Sequence, residues 1–255
     1  STTSDKGRLL SVACPHAMAW TVGPGFSRPF SNGEFRAALH WSLGLVVQTE
    51  EGTCPCGARS DKFGQHLANC RLFDARTRRH NEWRDVVAQV VRRAGMAVEV
   101  EAALEGERIR PGDILIAGWR NGRPLAVDFA ITARPNADAP DLIAHNKERL
   151  YAQRCEAEGW KFLPCVGDAF GAVRGEGARF LTKLCRLSAE KEEKGVWPTP
   201  QAMFWQAMST CLVRRAAGAI AAAWACGATS PDALGIPANR KGPVGMEGLE
   251  GATPQ

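Results

Sequence analysis

The residues with the clearest chemistry are two aspartates on short apolar runs. Asp113 follows Arg110-Pro111-Gly112 and opens the run Ile114-Leu115-Ile116; Asp128 sits midway along Leu125 to Ile131. Fourteen residues lie between them. A carboxylate on a buried strand is costly unless something positive faces it. Two such strands side by side point to a shared cation, and converging acidic oxygens suit Mg²⁺ or Mn²⁺. Around Asp128, the period of two sends Ala126, Asp128 and Ala130 to one face. Leu125, Val127, Phe129 and Ile131 go to the other. The alanines leave room beside the charge for a metal and a phosphate. The plainer alternative is a structural aspartate with Arg110 or Arg134 as its donor. Glu99 and Glu101 share a face of a preceding strand, and one of them is a further candidate carboxylate.

A second set is compact. Cys54-Pro55-Cys56-Gly57 is followed by His66 and Cys70, in the spacing C-x-C-x9-H-x3-C. Thiolate and imidazole in a set of four match the tetrahedral preference of Zn²⁺. Gly57 permits a tight turn around the metal, and His66 and Cys70 lie one helical turn apart. Four protein ligands leave no open position, so this zinc is expected to be structural.

Together these motifs resemble a PD-(D/E)XK, or restriction-like, nuclease core. More narrowly, they are similar to the endonuclease domain of retrotransposons that lack long terminal repeats. In that class a Cys-Cys-His-Cys knuckle precedes the nuclease, and the active-site lysine has moved to the following helix. The likeness covers about residues 36–185. Phe35 to Leu45 resembles the segment leading into the knuckle, with Trp41 where a basic residue is more usual. Arg78-Arg79-His80-Asn81 resembles the Arg-His dipeptide that follows it. The family position favours Glu101 over Glu99. One departure is plain: Ala130 stands two residues after Asp128, where the standard motif has lysine. The resemblance then implies Lys147 as the cation, with Tyr151 one turn on as a helper. It implies a metal-dependent endonuclease that nicks DNA in the nucleus, so that a reverse transcriptase module in the same or a partner chain can prime from the new end.

Several elements must position these groups. Residues 1–50 read as loop followed by a short helix, with Ser31 to Glu34 as a capping box and Phe35, Ala38, Leu39 and Leu43 buried. Residues 51–71 form the knuckle. Residues 72–187 form the nuclease core, a small mixed sheet flanked by helices, of α/β (α+β) class. The pattern predicts a long amphipathic helix over 71–95, with Trp83, Val86, Val87, Val90, Val91 and Ala94 on one stripe. Strands follow over 96–102, 114–117 and 125–131, with a hairpin turn over 118–123. A helix over 138–159 and a strand over 160–166 complete a β-α-β unit, and a further helix covers 176–194. Residues 188–226 are a C-terminal helical extension with an apolar helix over 201–226. The Gly/Pro-rich stretch 227–255 reads as a disordered tail.

Composition narrows the function classes. Nine scattered cysteines, an odd number, favour reduced thiols in an intracellular compartment over a disulfide framework. No membrane partner is expected, because Arg214-Arg215 interrupts the most apolar stretch. Residues 54–93 hold nine Lys/Arg against four Asp/Glu, which accounts for the whole net charge of +5. Such a cluster attracts DNA or RNA, and Arg76, Arg78, Arg79, His80 and Arg84 are the candidate phosphate contacts. His80 alternatively closes a local hydrogen-bond network. Two other readings compete with a nuclease. One is a catalytically decayed nucleic-acid-binding module, the other a zinc-stabilised protein-interaction domain.

Overall fold

A computed structural model describes residues 3–22, 28–48, 51–71, 75–104, 110–133, 136, 138–191 and 199–226. The expected tail over 227–255 and Arg134 lie outside the described residues. The architecture is mixed α/β, with seven helices and two small sheets among the described residues.

The chain opens with helix α1 (Thr3–Val12) and a 3-10 turn at Ala19–Thr21, where the sequence reading expected loop. Helix α2 (Asn32–Leu43) starts at the expected capping box: Ser31 accepts from the Glu34 N–H, and Glu34 accepts from the Ser31 N–H. Its buried face is Ala37, Ala38, Trp41 and Ser42. Phe35 and Leu43, expected inside, are exposed. The cause is Trp41, which is fully buried, stacks on Phe170 at 4.8 Å and donates Nε1–H to the Ala169 carbonyl at 2.9 Å. That anchor fixes the rotation of the helix and leaves Phe35 at the rim, where its ring meets only the edge of Trp20 at 5.6 Å.

A two-stranded hairpin, β1 (Gly52–Thr53) and β2 (Arg59–Ser60), leads to the short helix α3 (Gln65–Asn69). Helix α4 (Ala75–Arg93) carries the predicted stripe, with Trp83, Val87, Val90 and Val91 buried. The main sheet has the order β3 (Val98–Val100), β4 (Ile114–Arg120), β5 (Arg123–Thr132), β6 (Lys161–Asp168). The first three strands are antiparallel, and β5 and β6 are parallel. Helix α5 (Ala139–Ala157) is the crossover between them, as a parallel pair requires. Trp119, expected in the turn, is in strand β4, and the turn itself is Asn121-Gly122.

Helices α6 (Gly175–Ala189) and α7 (Pro200–Cys226) complete the chain. There are two hydrophobic clusters. The first joins α4, the sheet, α6 and the first half of α7 through Trp83, Val127, Phe129, Leu184 and Leu212. The second joins α2, α3 and the second half of α7 through Trp41, Leu67, Phe170, Ala217 and Ile220. Helix α7 therefore belongs to both. The N-terminal segment and the Cys/His segment, read as separate units in the sequence, share this second cluster.

The residue before Asp113 is held unusually close to the neighbouring strand. A Cβ at Gly112 would come within 3.1 Å of the Val127 carbonyl and 3.2 Å of the Val127 nitrogen. Both are backbone atoms of the central strand pair and cannot swing aside. Gly112→Ala is expected to destabilise the protein by about 1–3 kcal/mol, read as a lower melting temperature. An unchanged melting temperature would show that the approach is looser than described.

Candidate functional site

The antiparallel register of β4 and β5 positions the two aspartates. Ile114 pairs with Val127, Leu115 with Ala126 and Ile116 with Leu125. One residue earlier the register breaks: the Asp113 N–H donates to the Val127 carbonyl at 2.9 Å, so Asp113 and Ile114 both lie against Val127, the residue before Asp128. The register from Ile114 to Ile116 depends on a bulge. Nearer the turn, Arg120 pairs with Arg123, so Ala117 to Trp119 oppose Pro124 alone. Without that bulge, the Arg120–Arg123 register would run on to set Ile114 opposite Phe129 instead of Val127.

The carboxyl groups of Asp113 and Asp128 lie within hydrogen-bonding reach of each other. Leu125, Val127 and Phe129 point into the first hydrophobic cluster, as the alternation predicts. Lys147 of α5 reaches over the opposite face, with Nζ 2.5 Å from Asp128 Oδ2. Tyr151, one turn further, is not on the acid pair: its ring packs on Phe162 of β6 at 5.7 Å.

Two donors converge on Asp113 Oδ2. One is the Phe129 N–H at 2.6 Å, the other His80 Nε2 of α4 at 3.1 Å. Glu101 stands next along the sheet, since Val100 pairs with Ile114 and the Glu101 N–H donates to the Asp113 carbonyl at 2.8 Å. Its φ of +57° ends the strand in the left-handed region, uncommon for a residue with a Cβ. The Glu101 carboxylate is held by Arg84 at 2.8 Å and Arg110 at 2.5 Å. Arg110 thus serves Glu101 and not Asp113 or Asp128.

The electrostatics divide the two aspartates. Burial would raise Asp113, but the His80 hydrogen bond, the His80 charge and the Phe129 N–H together hold it below the ordinary carboxylate range. Burial pushes Asp128 up to about 6, with the adjoining Asp113 charge adding to it and Lys147 opposing it. Like charges at contact distance cannot both ionise cheaply, so below about pH 6 the pair keeps a proton on Asp128, and at neutral pH both carboxylates are charged.

Of the expected phosphate contacts, Arg76 and Arg78 are exposed. Arg79 is a correction: its side chain is fully buried, so it presents nothing to a phosphate. Arg84 is mostly covered and engaged by Asp85 and Glu101, and His80 faces Asp113. His80 takes the expected alternative, a local hydrogen-bond network; the sequence reading missed the inward use of Arg79 and Arg84. The available signal was spacing: His80 and Arg84 are one turn apart, and they meet the adjacent acids Asp113 and Glu101.

The Cys/His set does come together. The ligand atoms of Cys54, Cys56, His66 and Cys70 all lie within 4.8 Å of one another. Cys54 Sγ is 3.6 Å from Cys70 Sγ, and Cys56 Sγ is 3.2 Å from His66 Nε2. Tetrahedral zinc with Zn–S near 2.3 Å would set sulfurs about 3.7 Å apart, so the cluster can hold a metal ion and is compatible with zinc. Local chemistry builds it. The Gly57 N–H donates to the Cys54 carbonyl at 2.8 Å with φ of +85°, closing the turn that carries both cysteines. The Asp61 carboxylate accepts from the N–H groups of Phe63, Gln65 and His66, which starts α3 and aims His66. Cys155, Cys165, Cys185 and Cys211 are buried and far from this cluster in the sequence.

No family model matches the chain, and no curated protein matches it either. No helix among the described residues is long and apolar enough to cross a membrane.

Two measurements test this geometry. The purified chain is expected to carry about one equivalent of zinc, and Cys70→Ser and His66→Ala much less, with a lower melting temperature. Zinc-free wild type of undiminished stability would count against the cluster. The second is pH dependence without added Mg²⁺. The folded chain holds the Asp128 proton more tightly than the unfolded chain, so this group adds stability as pH falls from 6 to 4. The slope is up to about 1.4 kcal/mol per pH unit. The lowered Asp113 acts in the opposite sense, and only below that window. Asp128→Asn should make the pH 4–6 slope shallower, leaving the contribution of Asp168, which burial also raises; an identical slope in the variant would show that Asp128 is not a titrating group there.

Proposed function

We propose that this chain is a metal-dependent nuclease that hydrolyses a phosphodiester bond in DNA, with a restriction-like core and a zinc knuckle. The observation that carries the reading is the convergence of Asp113, Asp128 and Lys147. They come from three separate elements, and two of them are like charges. Evolution of a merely stable sheet has no need for two carboxylates in contact, since an apolar pair would cost less.

In this reading Asp113 and Asp128, with Glu101 beside them, would hold Mg²⁺ or Mn²⁺. When bound, such an ion polarises a phosphoryl oxygen and lowers the pKa of a coordinated water. The donor set fits: hard oxygens, partly exposed and close together. The chain's own residues do the rest. Lys147 offsets the charge of Asp128 and can turn its ammonium to a phosphate oxygen. It supplies the cation that Ala130 does not. Arg76 and Arg78 offer exposed charge for backbone phosphates, in a contact that salt should weaken. The Cys/His cluster fixes the entry to α4 and so the base of that surface.

The resemblance to retrotransposon endonucleases suggests the biological act: nicking a nuclear DNA target so that a reverse transcriptase, in the same longer polypeptide or a partner, can extend the new end with RNA as template. A second reading, a decayed nucleic-acid-binding module, draws on one feature. Lys147 already closes Asp128 as an ion pair, and the motif lysine is absent at Ala130.

Nicking of supercoiled plasmid with Mg²⁺ separates the two. Asp113→Ala and Asp128→Ala are each expected to slow nicking by about 10²–10³-fold, and Lys147→Met by a comparable or smaller factor. Nicking that survives both aspartate substitutions would remove the assignment. Salt-sensitive DNA retention by a wild type that never nicks would establish the second reading.

A further inference from the structure

His80 was expected to meet nucleic acid or to close a hydrogen-bond network, and its surroundings decide between them. Its Nε2 lies 3.1 Å from Asp113 Oδ2 and 3.1 Å from the Phe129 carbonyl oxygen. A carbonyl oxygen can only accept, so Nε2 carries a hydrogen and faces two acceptors. The other ring nitrogen, Nδ1, lies 3.2 Å from the Asn81 side-chain amide. Both nitrogens are therefore engaged by the protein, and the ring is only partly exposed. A histidine so held has no spare nitrogen for a phosphate.

We propose that His80 is a positioning residue for the acid pair. Its Nε2–H holds Asp113 Oδ2 so that Oδ1 is turned, together with Asp128, toward one divalent cation. This rests on the two-carboxylate reading and deepens it. The geometry favours it in two ways. First, the Phe129 N–H already binds the same oxygen at 2.6 Å, so the two donors come from different elements, α4 and β5. One donor alone leaves a carboxylate free to rotate about its broad terminal torsion; two fix the plane. Second, α4 repeats the device one turn later, where Arg84 holds Glu101. The helix thus orients two neighbouring acids of the sheet with a donor apiece. Outer-shell donors of this kind typically matter about 10–100-fold for metal affinity.

The test is Mn²⁺ binding by calorimetry to the full chain, its Cys/His cluster loaded with zinc. Wild type is compared with Asp113→Ala, His80→Ala, His80→Gln and His80→Asn. His80→Ala should bind Mn²⁺ about 10–100-fold more weakly. The Gln amide nitrogen reaches about as far as Nε2, so His80→Gln should recover most of that loss, whereas the shorter Asn should not. Affinity for DNA without divalent ion should be unchanged in all three His80 variants. Wild-type Mn²⁺ affinity in His80→Ala, or equal affinity in the Gln and Asn variants, overturns the proposal while leaving the acid pair intact. A wild type that binds no Mn²⁺, or an Asp113→Ala variant that binds as well as wild type, sinks the acid-pair reading and this proposal together. Should His80→Ala not fold, the Gln–Asn comparison still decides.

Discussion

Everything at the candidate site follows from two like charges in contact on one antiparallel strand pair. The carboxyl groups of Asp113, just before β4, and Asp128, on β5, lie within hydrogen-bonding reach of each other, and neither is well solvated. Left alone, such a pair would repel and splay the strands. The surrounding residues compensate from three directions: Lys147 from α5, His80 from α4, and the Phe129 N–H from the strand itself. Compensation remains incomplete: burial first, and the Asp113 charge after it, still lift Asp128 to about 6. A site that still favours another positive charge is one prepared for a cation, which is the physical basis for the nuclease proposal.

The rest of the architecture serves that arrangement. The apolar faces of β4 and β5 are buried against α4, α6 and α7, which fixes the sheet on one side. The crossover through α5 is obligatory for a parallel β5–β6 pair, and it brings a long basic side chain over the other side. The Cys/His cluster sits before α4, and Leu67 and Ala68 beside it belong to the second hydrophobic cluster. Helix α7 is common to both clusters. Disruption of the Cys/His cluster should therefore be felt at α4, and through it at His80 and Arg84.

Much of this was legible in the chain. The period-two alternation around Asp128 gave its face, because a strand has no other way to place neighbouring side chains. The stripe on α4, the capping box at Ser31, the β-α-β unit and the C-x-C-x9-H-x3-C set were readable because each is a local pattern with a fixed geometric period. Less legible were the N-terminal helix, the buried face of α2, the burial of Arg79 and the use of Arg84. Each of these depends on which distant residue fills the space opposite. Phe35 and Trp41 are equally apolar in sequence, but only Trp41 meets Phe170 and the Ala169 carbonyl.

The sequence by itself determined the element types from α2 onward in outline, the apolar faces of the strands and the four metal-competent ligands, because those rest on periodicity and on contacts a few residues apart. Only the tertiary structure decided that the Asp113 and Asp128 carboxyl groups meet. That meeting depends on the register of β4 against β5, which a bulge in β4 sets and which is silent in composition. Only the tertiary structure could turn His80 inward as well, since a helical side chain has no inward direction until a sheet is packed beneath it.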